Sequence, residues 1–258
     1  MKIMGILNVT PDSFSDGGQY IDVDKAVAHA LQMVQDSADI IDVGGESTRP
    51  GAKPVSIDDE LQRVIPVIQR LAKEITVPIS IDTYKAEVAR QAVASGATII
   101  NDVTGAKFDP EMPQVMADGG AKVILMHNRP HGQENDSSDI FAEVISQLQS
   151  SIDLILQAGV KKENIIVDPG IGFGKTFEQN VELIKNIHHL KTMGYPVMLA
   201  ASKKRTIRAL TQHDDPISLS IGTIATTCYA YNKGIDYVRV HDVKENKVAL
   251  DVMKHLNI

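Results

Sequence analysis

The chain lacks several features that would assign it to particular classes of protein. Its 258 residues include a single cysteine, Cys228, which excludes an internal disulfide and is typical of a reducing compartment. No apolar run approaches the ~20 residues that a membrane helix needs, and no export signal precedes the first apolar segment. The net charge of −7 argues against a basic, nucleic-acid-binding face. We therefore expect a cytoplasmic protein without nucleic-acid or membrane partners.

What is present is a repeated alternation of strand-like and helix-like segments. Hydrophobic residues make up 43% of the chain and charged residues 23%, as in ordinary globular proteins. Short β-branched runs predict strands at Lys2–Leu7, Ile40–Val43, Pro78–Ile81, Thr98–Asn101, Lys122–Met126, Ile165–Val167, Val197–Ala200 and Tyr237–Val240. Apolar residues spaced three and four apart predict helices at Asp24–Gln35, Ile57–Lys73, Lys85–Ser95, Glu111–Asp118, Ile140–Ala158, Thr176–Met193, Ser218–Lys233 and Lys244–His255.

This alternation predicts the fold class. Strands that are apolar on both faces and separated by helices indicate a parallel sheet covered by helices. Eight strand–helix repeats in about 250 residues are typical of a (β/α)8 TIM barrel, so we predict an α/β barrel formed by one domain spanning residues 1–258. An open doubly wound sheet is the alternative. It would need a G-x-G-x-x-G turn early in the chain, and none follows the first predicted strand.

In such barrels the chemistry lies where the strands end, and polar groups follow every predicted strand. These groups are Asn8, Asp42, Asp82, Asn101, Asp102, His127, Asn128, Asp168, Ser202, Lys204, Arg239, His241 and Asp242. Strand termination by itself accounts for an isolated Asp or Asn. It does not account for eight strands that each bring a polar group to one end, including the glycine-rich loops at residues 44–51 and 170–174.

The polar groups fall into two chemical types. Asp82, Asn101 and Asp168 suit a flat heterocycle that presents ring N–H and amino donors. An alternative for Asp82 is that it only caps the following helix. The second type is cationic and predicts an anion site of the kind that loops 7 and 8 of this barrel form, aided by a helix beginning near Ser202. Its members are Arg49, Lys204, Arg205, Arg239 and His241.

One glycine-rich segment resembles a nucleotide-binding P-loop without matching it. The run from Gly172 to Thr176, G-F-G-K-T, ends like G-x-x-x-x-G-K-[ST], but the first glycine would fall at Pro169. An ATP site of that type is therefore not predicted. A hard cation such as Mg²⁺ needs only one or two protein ligands when substrate phosphates supply the others, and Asn8 is a candidate ligand.

Taken together, the strand-end motifs resemble those of the dihydropteroate synthase family. The segments MGILNVTPDSFSDGG, DVGGESTRPGA, SIDTYK, LMH, DPGIGFGK, SKKR and RVHD occur in that family's order and cover nearly the whole chain. The resemblance implies a cytosolic transferase of folate biosynthesis, the target of sulfonamide drugs. It would join 4-aminobenzoate to (7,8-dihydropterin-6-yl)methyl diphosphate and release diphosphate, with Mg²⁺ as cofactor.

The resemblance also implies a role for each matching residue. Asp42, Asp82, Asn101, Met126, Asp168 and Lys204 would surround the pterin. Thr48, Arg49, Arg239 and His241 would hold the diphosphate, and Asn8 would bind Mg²⁺. Phe14, Pro50, Phe173 and Ser202 would border the aminobenzoate. Asp16 would approach the reacting methylene carbon, so Asp16, Lys204, Arg239 and His241 form the implied catalytic set.

Two further implications concern the loop after the seventh strand and the assembly. The family usually has Ser-Arg-Lys where this chain has Ser202, Lys203 and Lys204, so the charge is kept but the bidentate fork at residue 203 is lost. A homodimer is implied, and the apolar residues Ile221 and Ile224 on one predicted helix could support it or pack on the barrel instead.

Two other functions fit part of the pattern. A pterin-binding methyltransferase, passing a methyl group from methyltetrahydrofolate to a corrinoid protein, could keep Asp82, Asn101 and Asp168 but has no use for a cationic diphosphate cluster. A non-catalytic pterin-binding protein could keep the same pocket.

Overall fold

Parallel strands and helices alternate along the whole chain. The computed structural model describes residues 1–10, 19–47, 53–129 and 139–256. The strands are β1 Lys2–Asn8, β2 Ile40–Gly44, β3 Ile79–Asp82, β4 Ile99–Asp102, β5 Lys122–Met126, β6 Ile165–Asp168, β7 Met198–Leu199 and β8 Tyr237–Val240. The helices in this part of the chain are α1 Gln19–Gln35, α2 Ile57–Glu74, α3 Ala86–Ala94, α4 Met112–Gly119, α5 Ile140–Ala158, α6 Phe177–Lys185, α7 Arg205–Thr211, α8 Pro216–Asn232 and α9 Val243–His255.

The strands form a nearly closed parallel barrel. Their order in the sheet is β6-β5-β4-β3-β2-β1-β8-β7, so nearly all neighbours in space are neighbours in the chain. The two ends of this order meet through a parallel bridge between Val167 and Val197, where the Val167 N–H donates to Pro196 O at 2.9 Å. The predicted (β/α)8 fold is confirmed, and the open doubly wound alternative is excluded.

Side-chain alternation along the strands separates two apolar layers. One set of alternate residues lies against the helices in the main core, for example Ile41 of β2, Ile100 of β4 and Val167 of β6. The other set forms a separate cluster inside the barrel: Met4, Ile40, Ile99, Ile124, Ile166, Met198, Ala200 and Tyr237. Because successive strand residues point to opposite faces, the residue two positions after each inner member also points inward. The inner cluster therefore fills the barrel beneath the strand ends.

Most predicted elements are present, and three helix predictions need correction. The first is α1, which begins at Gln19 and not at the predicted Asp24. The helix predicted at Thr176–Met193 is α6 followed by a 3₁₀ segment, Ile187–Met193, because Asn186 leaves the helical region at φ −114° and ψ 21°. The helix predicted to begin near Ser202 begins at Arg205, because Lys203 adopts a left-handed conformation at φ 54°. Strand ends otherwise agree to within a residue or two.

None of the helices in the described part of the chain combines the length and the apolar character that a membrane span requires.

Candidate active site

The inward-facing polar residues meet at the end of the barrel where the strands terminate, which we call the mouth. Four of them, and the apolar Met126, follow a member of the inner apolar cluster by two residues: Asp42 follows Ile40, Asn101 follows Ile99, Met126 follows Ile124, Asp168 follows Ile166 and Arg239 follows Tyr237. Asp42, Asp82, Asn101 and Asp168 are all buried. The alternation of strand residues thus places carboxylates from several strands in one space.

Arg239 lies at the centre of this space and pairs with two carboxylates. Its Nε donates to Asp42 Oδ2 at 2.5 Å, and its Nη2 donates to Asp82 Oδ2 at 2.6 Å. The Asn101 amide also donates to Asp42 Oδ2, at 3.2 Å. The other oxygens of the two carboxylates, Asp42 Oδ1 and Asp82 Oδ1, are buried and have no hydrogen-bond partner among the described residues. The site therefore contains acceptors for the donors of a ligand.

The burial of this cluster shifts the pKa of its members. Burial raises the pKa of Asp82 to about 7, although Arg239 acts in the opposite direction. Burial by itself would lower the pKa of Arg239, but the nearby Asp42 and Asp82 outweigh it and the pKa rises. Arg239 is thus a permanent cation beside a carboxylate that titrates close to neutral pH.

Lys204 and Asp168 form the neighbouring part of the mouth. Lys204 Nζ donates to Ile171 O at 2.8 Å and lies 4.6 Å from the centre of the Phe173 ring. Asp168 Oδ1 accepts the Gly170 N–H at 2.7 Å. Burial lowers the pKa of Lys204 to about 8, opposed by the charge of Asp168. Burial also raises the pKa of Asp168, opposed by Lys204.

Loops 7 and 8, after β7 and β8, are joined by side-chain contacts. Ser202 Oγ lies 2.9 Å from His241 Nδ1 and accepts the His241 backbone N–H at 3.2 Å. Lys203 Nζ pairs with Asp242 Oδ1 at 2.7 Å. Lys203, at the position where the family usually has arginine, therefore ties loop 7 to loop 8 through a carboxylate of this chain.

The alternative role considered for Asp82, as a helix cap, is not observed. The N-cap of α3 is Lys85, with no side-chain capping bond, and the Ala86 N–H is bound by Asp109 Oδ2 at 2.9 Å. The Asp82 carboxylate instead faces Arg239.

The structure brings together the predicted residues at the mouth that it describes. Asp42, Asp82, Asn101, Met126, Asp168, Phe173, Ser202, Lys204, Arg239 and His241 lie on or directly after strands β2 to β8, and Asn8 ends β1. Arg239, predicted from the sequence among the cations of loops 7 and 8, lies on β8, and its guanidinium pairs with Asp42 and Asp82. Phe14, Asp16, Thr48, Arg49 and Pro50 lie outside the described residues.

A second charged cluster next to the mouth was not anticipated from the sequence. Lys85 Nζ pairs with both Glu46 and Glu60, and Tyr84 Oη donates to Glu46 Oε1 at 2.8 Å. Lys85 and Glu60 are buried, and Glu46 belongs to the segment that follows β2. No spacing rule pairs residues 39 positions apart, as Glu46 and Lys85 are.

Two cavities lie at the opposite, amino-terminal end of the barrel. The larger, about 390 Å³, is bordered by Met1, Pro196 and Tyr231, and the smaller, about 180 Å³, by Asp39 and Lys122. We place the functional site at the mouth because buried ionisable groups with shifted pKa values converge there, which is typical of a reactive site.

Comparison with known protein sequences agrees with this placement. The family model described as pterin binding enzyme matches residues 4–241. The chain is 53% identical to the dihydropteroate synthase of Bacillus subtilis (strain 168) over 243 residues, which cover 94% of this chain and 84% of that protein. It is 48% identical to that of Clostridium beijerinckii over 249 residues, 96% of this chain and 91% of that one.

Solved structures of similar proteins have the same architecture. Dihydropteroate synthase from Clostridium difficile, in the presence of pteroic acid, matches with a TM-score of 0.95 and 48% identity over 99% of this chain and 96% of that one. The enzyme from Xanthomonas albilineans in complex with 7,8-dihydropteroate matches with a TM-score of 0.90 and 41% identity over 99% and 93%. Because this similarity extends along nearly its full length, the chain belongs to the dihydropteroate synthase family of pterin-binding enzymes.

Proposed function

We propose that this enzyme joins 4-aminobenzoate to (7,8-dihydropterin-6-yl)methyl diphosphate, forming dihydropteroate and releasing diphosphate. The observation that carries the proposal is the pair of buried carboxylate oxygens, Asp42 Oδ1 and Asp82 Oδ1, that have no partner in the described chain. Buried acceptors of this kind are stabilised by donors of a ligand, and a pterin ring presents amino and ring N–H groups. Relatives have been solved with 4-aminobenzoic acid and with 7,8-dihydropteroate.

The pterin would occupy the space among the carboxylates of the mouth. Asp82, Asp42 and Asp168 would accept from its N–H groups, and Asn101 would add an amide. Arg239 supports this role because it binds one oxygen of Asp42 and one of Asp82, and its positive charge favours the ionised form of Asp82. Met126, buried on β5, would pack against the ring, and Lys204 would bind at its edge.

The diphosphate and the aminobenzoate would bind above the pterin. Arg239 and His241, with Thr48 and Arg49, would stabilise the negative charge that grows on the departing diphosphate. The aminobenzoate would be bordered by Phe14, Pro50, Phe173 and Ser202. These two sets of residues would hold the diphosphate and the aminobenzoate in position relative to the pterin.

The reaction is a substitution at the pterin methylene carbon. The bond from this carbon to the diphosphate oxygen breaks, the amine nitrogen forms the new C–N bond, and one amine proton is lost. Asp16 would face the carbon as positive charge develops on it. Because the electron-rich pterin spreads this positive charge, departure of diphosphate can precede attack, and no protein nucleophile is required.

Mg²⁺ fits a site of this kind with Asn8 as a ligand. Asn8 ends β1 beside Gly44 of β2 and offers an amide oxygen at the mouth. Within the described ranges no group of three or more carboxylate, His or Cys side chains could hold a metal ion. A hard cation does not require one when phosphate oxygens complete its shell. The ion would neutralise part of the diphosphate charge.

We further propose a cytoplasmic homodimer built from a single domain, residues 1–258. The support for the dimer is an apolar surface on α8 and α9, where Ile217 and Ile221 are 72% and 61% exposed and Val252 and Leu256 are also exposed. Large apolar side chains exposed on neighbouring helices can form such an interface.

Turnover distinguishes the proposal from the two alternative functions. The purified protein, mixed with both substrates and Mg²⁺, is expected to release diphosphate and form dihydropteroate, whereas a corrinoid methyltransferase or a binding protein would release none. Asp82→Asn should lower kcat/KM by roughly 100-fold, because a charged hydrogen bond worth about 3 kcal/mol is lost. Asp118→Asn, which alters an exposed carboxylate near the end of α4, is the control. Absence of diphosphate release from the unmodified protein would contradict the proposal.

A further inference from the structure

Lys175 is buried inside the loop that follows β6. It is the lysine of the P-loop-like segment, yet it is only 6% exposed. Its ammonium donates to three backbone carbonyl oxygens, at 2.8 Å to Gly170, 3.0 Å to Phe173 and 3.4 Å to His127. His127 follows β5, so one ammonium group holds two neighbouring loops of the mouth together.

The loop around Lys175 carries groups that the proposed site uses. It begins after Asp168, its Ile171 carbonyl accepts the hydrogen bond of Lys204, and its Phe173 ring lies beside the Lys204 ammonium. Lys175 donates to the carbonyl of Gly170, which precedes Ile171, and to the carbonyl of Phe173 itself.

The same loop is pressed closely against the segment that follows β5. Gly170 and Gly174 have positive φ values of 68° and 58°, and a Cβ atom at these positions would overlap the His127 carbonyl and Arg129. Arg129, itself buried, donates through Nη1 to Gly174 O at 3.1 Å and to Gln179 Oε1 at 3.1 Å. Gly174 is therefore held by Arg129, whereas Gly170 and Phe173 are held by Lys175.

We propose that Lys175 is a positioning residue that holds Phe173 in place, so that the aminobenzoate subsite is preorganised. This inference rests on the proposed function. It gives the lysine of the P-loop-like segment a different role from phosphate binding, because its donors are directed to backbone carbonyls of its own loop and of His127.

Removing the ammonium should affect the two substrates unequally. Lys175→Met keeps most of the side-chain volume but leaves the three carbonyls without this donor. The backbone of residues 170–173 then loses the hydrogen bonds that fix its conformation. Asp168 stays fixed by β6, since it is paired with Met126 of β5 and its carbonyl accepts the His127 N–H at 2.9 Å. We expect the KM for aminobenzoate to rise about tenfold or more and the KM for the pterin diphosphate to change by less than about threefold.

The test compares diphosphate release by the unmodified protein, Lys175→Met, Lys175→Arg and Lys191→Met. The arginine variant keeps the charge and donors and should recover part of the aminobenzoate KM. Lys191 also donates to a loop carbonyl, that of Gly234, but lies at the other end of the barrel, so its variant should behave as unmodified protein. Unchanged KM values in Lys175→Met, or an equal rise in both, would overturn the inference.

Hydrogen exchange gives a second readout that does not depend on turnover. Amides of residues 170–174 should exchange faster in Lys175→Met, with no change at residues 234–240. If Lys175→Met does not fold, Lys175→Gln, which keeps one neutral donor, replaces it in both measurements, and unchanged exchange there contradicts the inference. If the unmodified protein releases no diphosphate, the proposed function fails, and the exchange measurement alone decides the role of Lys175.

Discussion

At the scale of single residues, burial controls the charges that face the ligand. Burial favours the neutral forms of both Asp82 and Lys204, because it raises the pKa of the carboxyl group and lowers the pKa of the amine. Arg239 remains charged throughout and keeps Asp42 and Asp82 together. The mouth is thus fully charged only over a narrow range of pH.

Pterin binding should therefore pass through an optimum. Asp82, with a pKa raised to about 7, becomes an acceptor as the pH rises through that value. Lys204, with a pKa lowered to about 8, loses its charge above it. Affinity should increase from about pH 6, be greatest between these values and fall above them, with apparent pKa values that belong to the coupled group.

Calorimetric titration of a pterin ligand across this range checks the expectation. The pterin ligand also titrates. We therefore compare the affinity of the unmodified protein with that of Lys204→Met as a ratio, because the ligand's own titration cancels in the ratio. This ratio should fall as the pH rises above about 8. A ratio independent of pH would show that Lys204 does not cause the alkaline limb, and Lys191→Met serves as the control lysine.

At the scale of elements, the barrel positions its loops by linking each to its neighbours. Loop 6 is tied to the segment after β5 by Lys175, loop 7 to loop 8 by Lys203 and Asp242, and the segment after β2 to α2 and α3 by Lys85. In each case a lysine reaches a group from another element, so the position of each loop depends on its neighbour.

Replacing Lys85 should destabilise the protein strongly. Lys85→Met leaves Glu46 and the buried Glu60 without their shared cation, and breaking a buried ion pair costs about 3–5 kcal/mol of the free energy of unfolding. Urea denaturation measures this loss. Arg90→Met removes an exposed arginine of α3 that pairs with Glu87, and it should change stability little. Equal effects of the two variants would contradict this view of the Lys85 cluster.

At the scale of the whole molecule, the barrel directs two different surfaces outward. The mouth is charged, whereas α8 and α9 present apolar side chains on the outside of the barrel. Of the two residues named from the sequence, Ile221 is exposed on this surface, whereas Ile224 is partly buried.

A charge on this surface should dissociate the proposed dimer. Ile221→Glu would place a carboxylate within the proposed apolar contact, where it has no partner, and we expect a monomer in sedimentation velocity. Leu154→Glu on α5, which alters a partly exposed leucine elsewhere, should leave the assembly unchanged. If the unmodified protein is itself monomeric, the dimer proposal is wrong.

The order of elements and the inward-facing residues could be predicted from the sequence. Short β-branched runs identified the strands, and the rule that parallel strands end at one edge of the barrel then placed the polar residues at their ends together. Asp42, Asn101 and Asp168 follow from this rule alone. The break at Asn186 and the late start of α7 did not, since both depend on the backbone conformation of single residues.

The sequence by itself determined the barrel, its mouth and the residue types that line it, because these follow from local periodicity and from the rule that parallel strands end together. Only the tertiary structure decided which charges pair. Arg239 meets Asp42 across 197 positions, and Lys175 meets His127 across 48. Partners so far apart are chosen by the closing of the barrel, which brings β8 beside β1 and sets the loops against each other, and no local pattern encodes that contact.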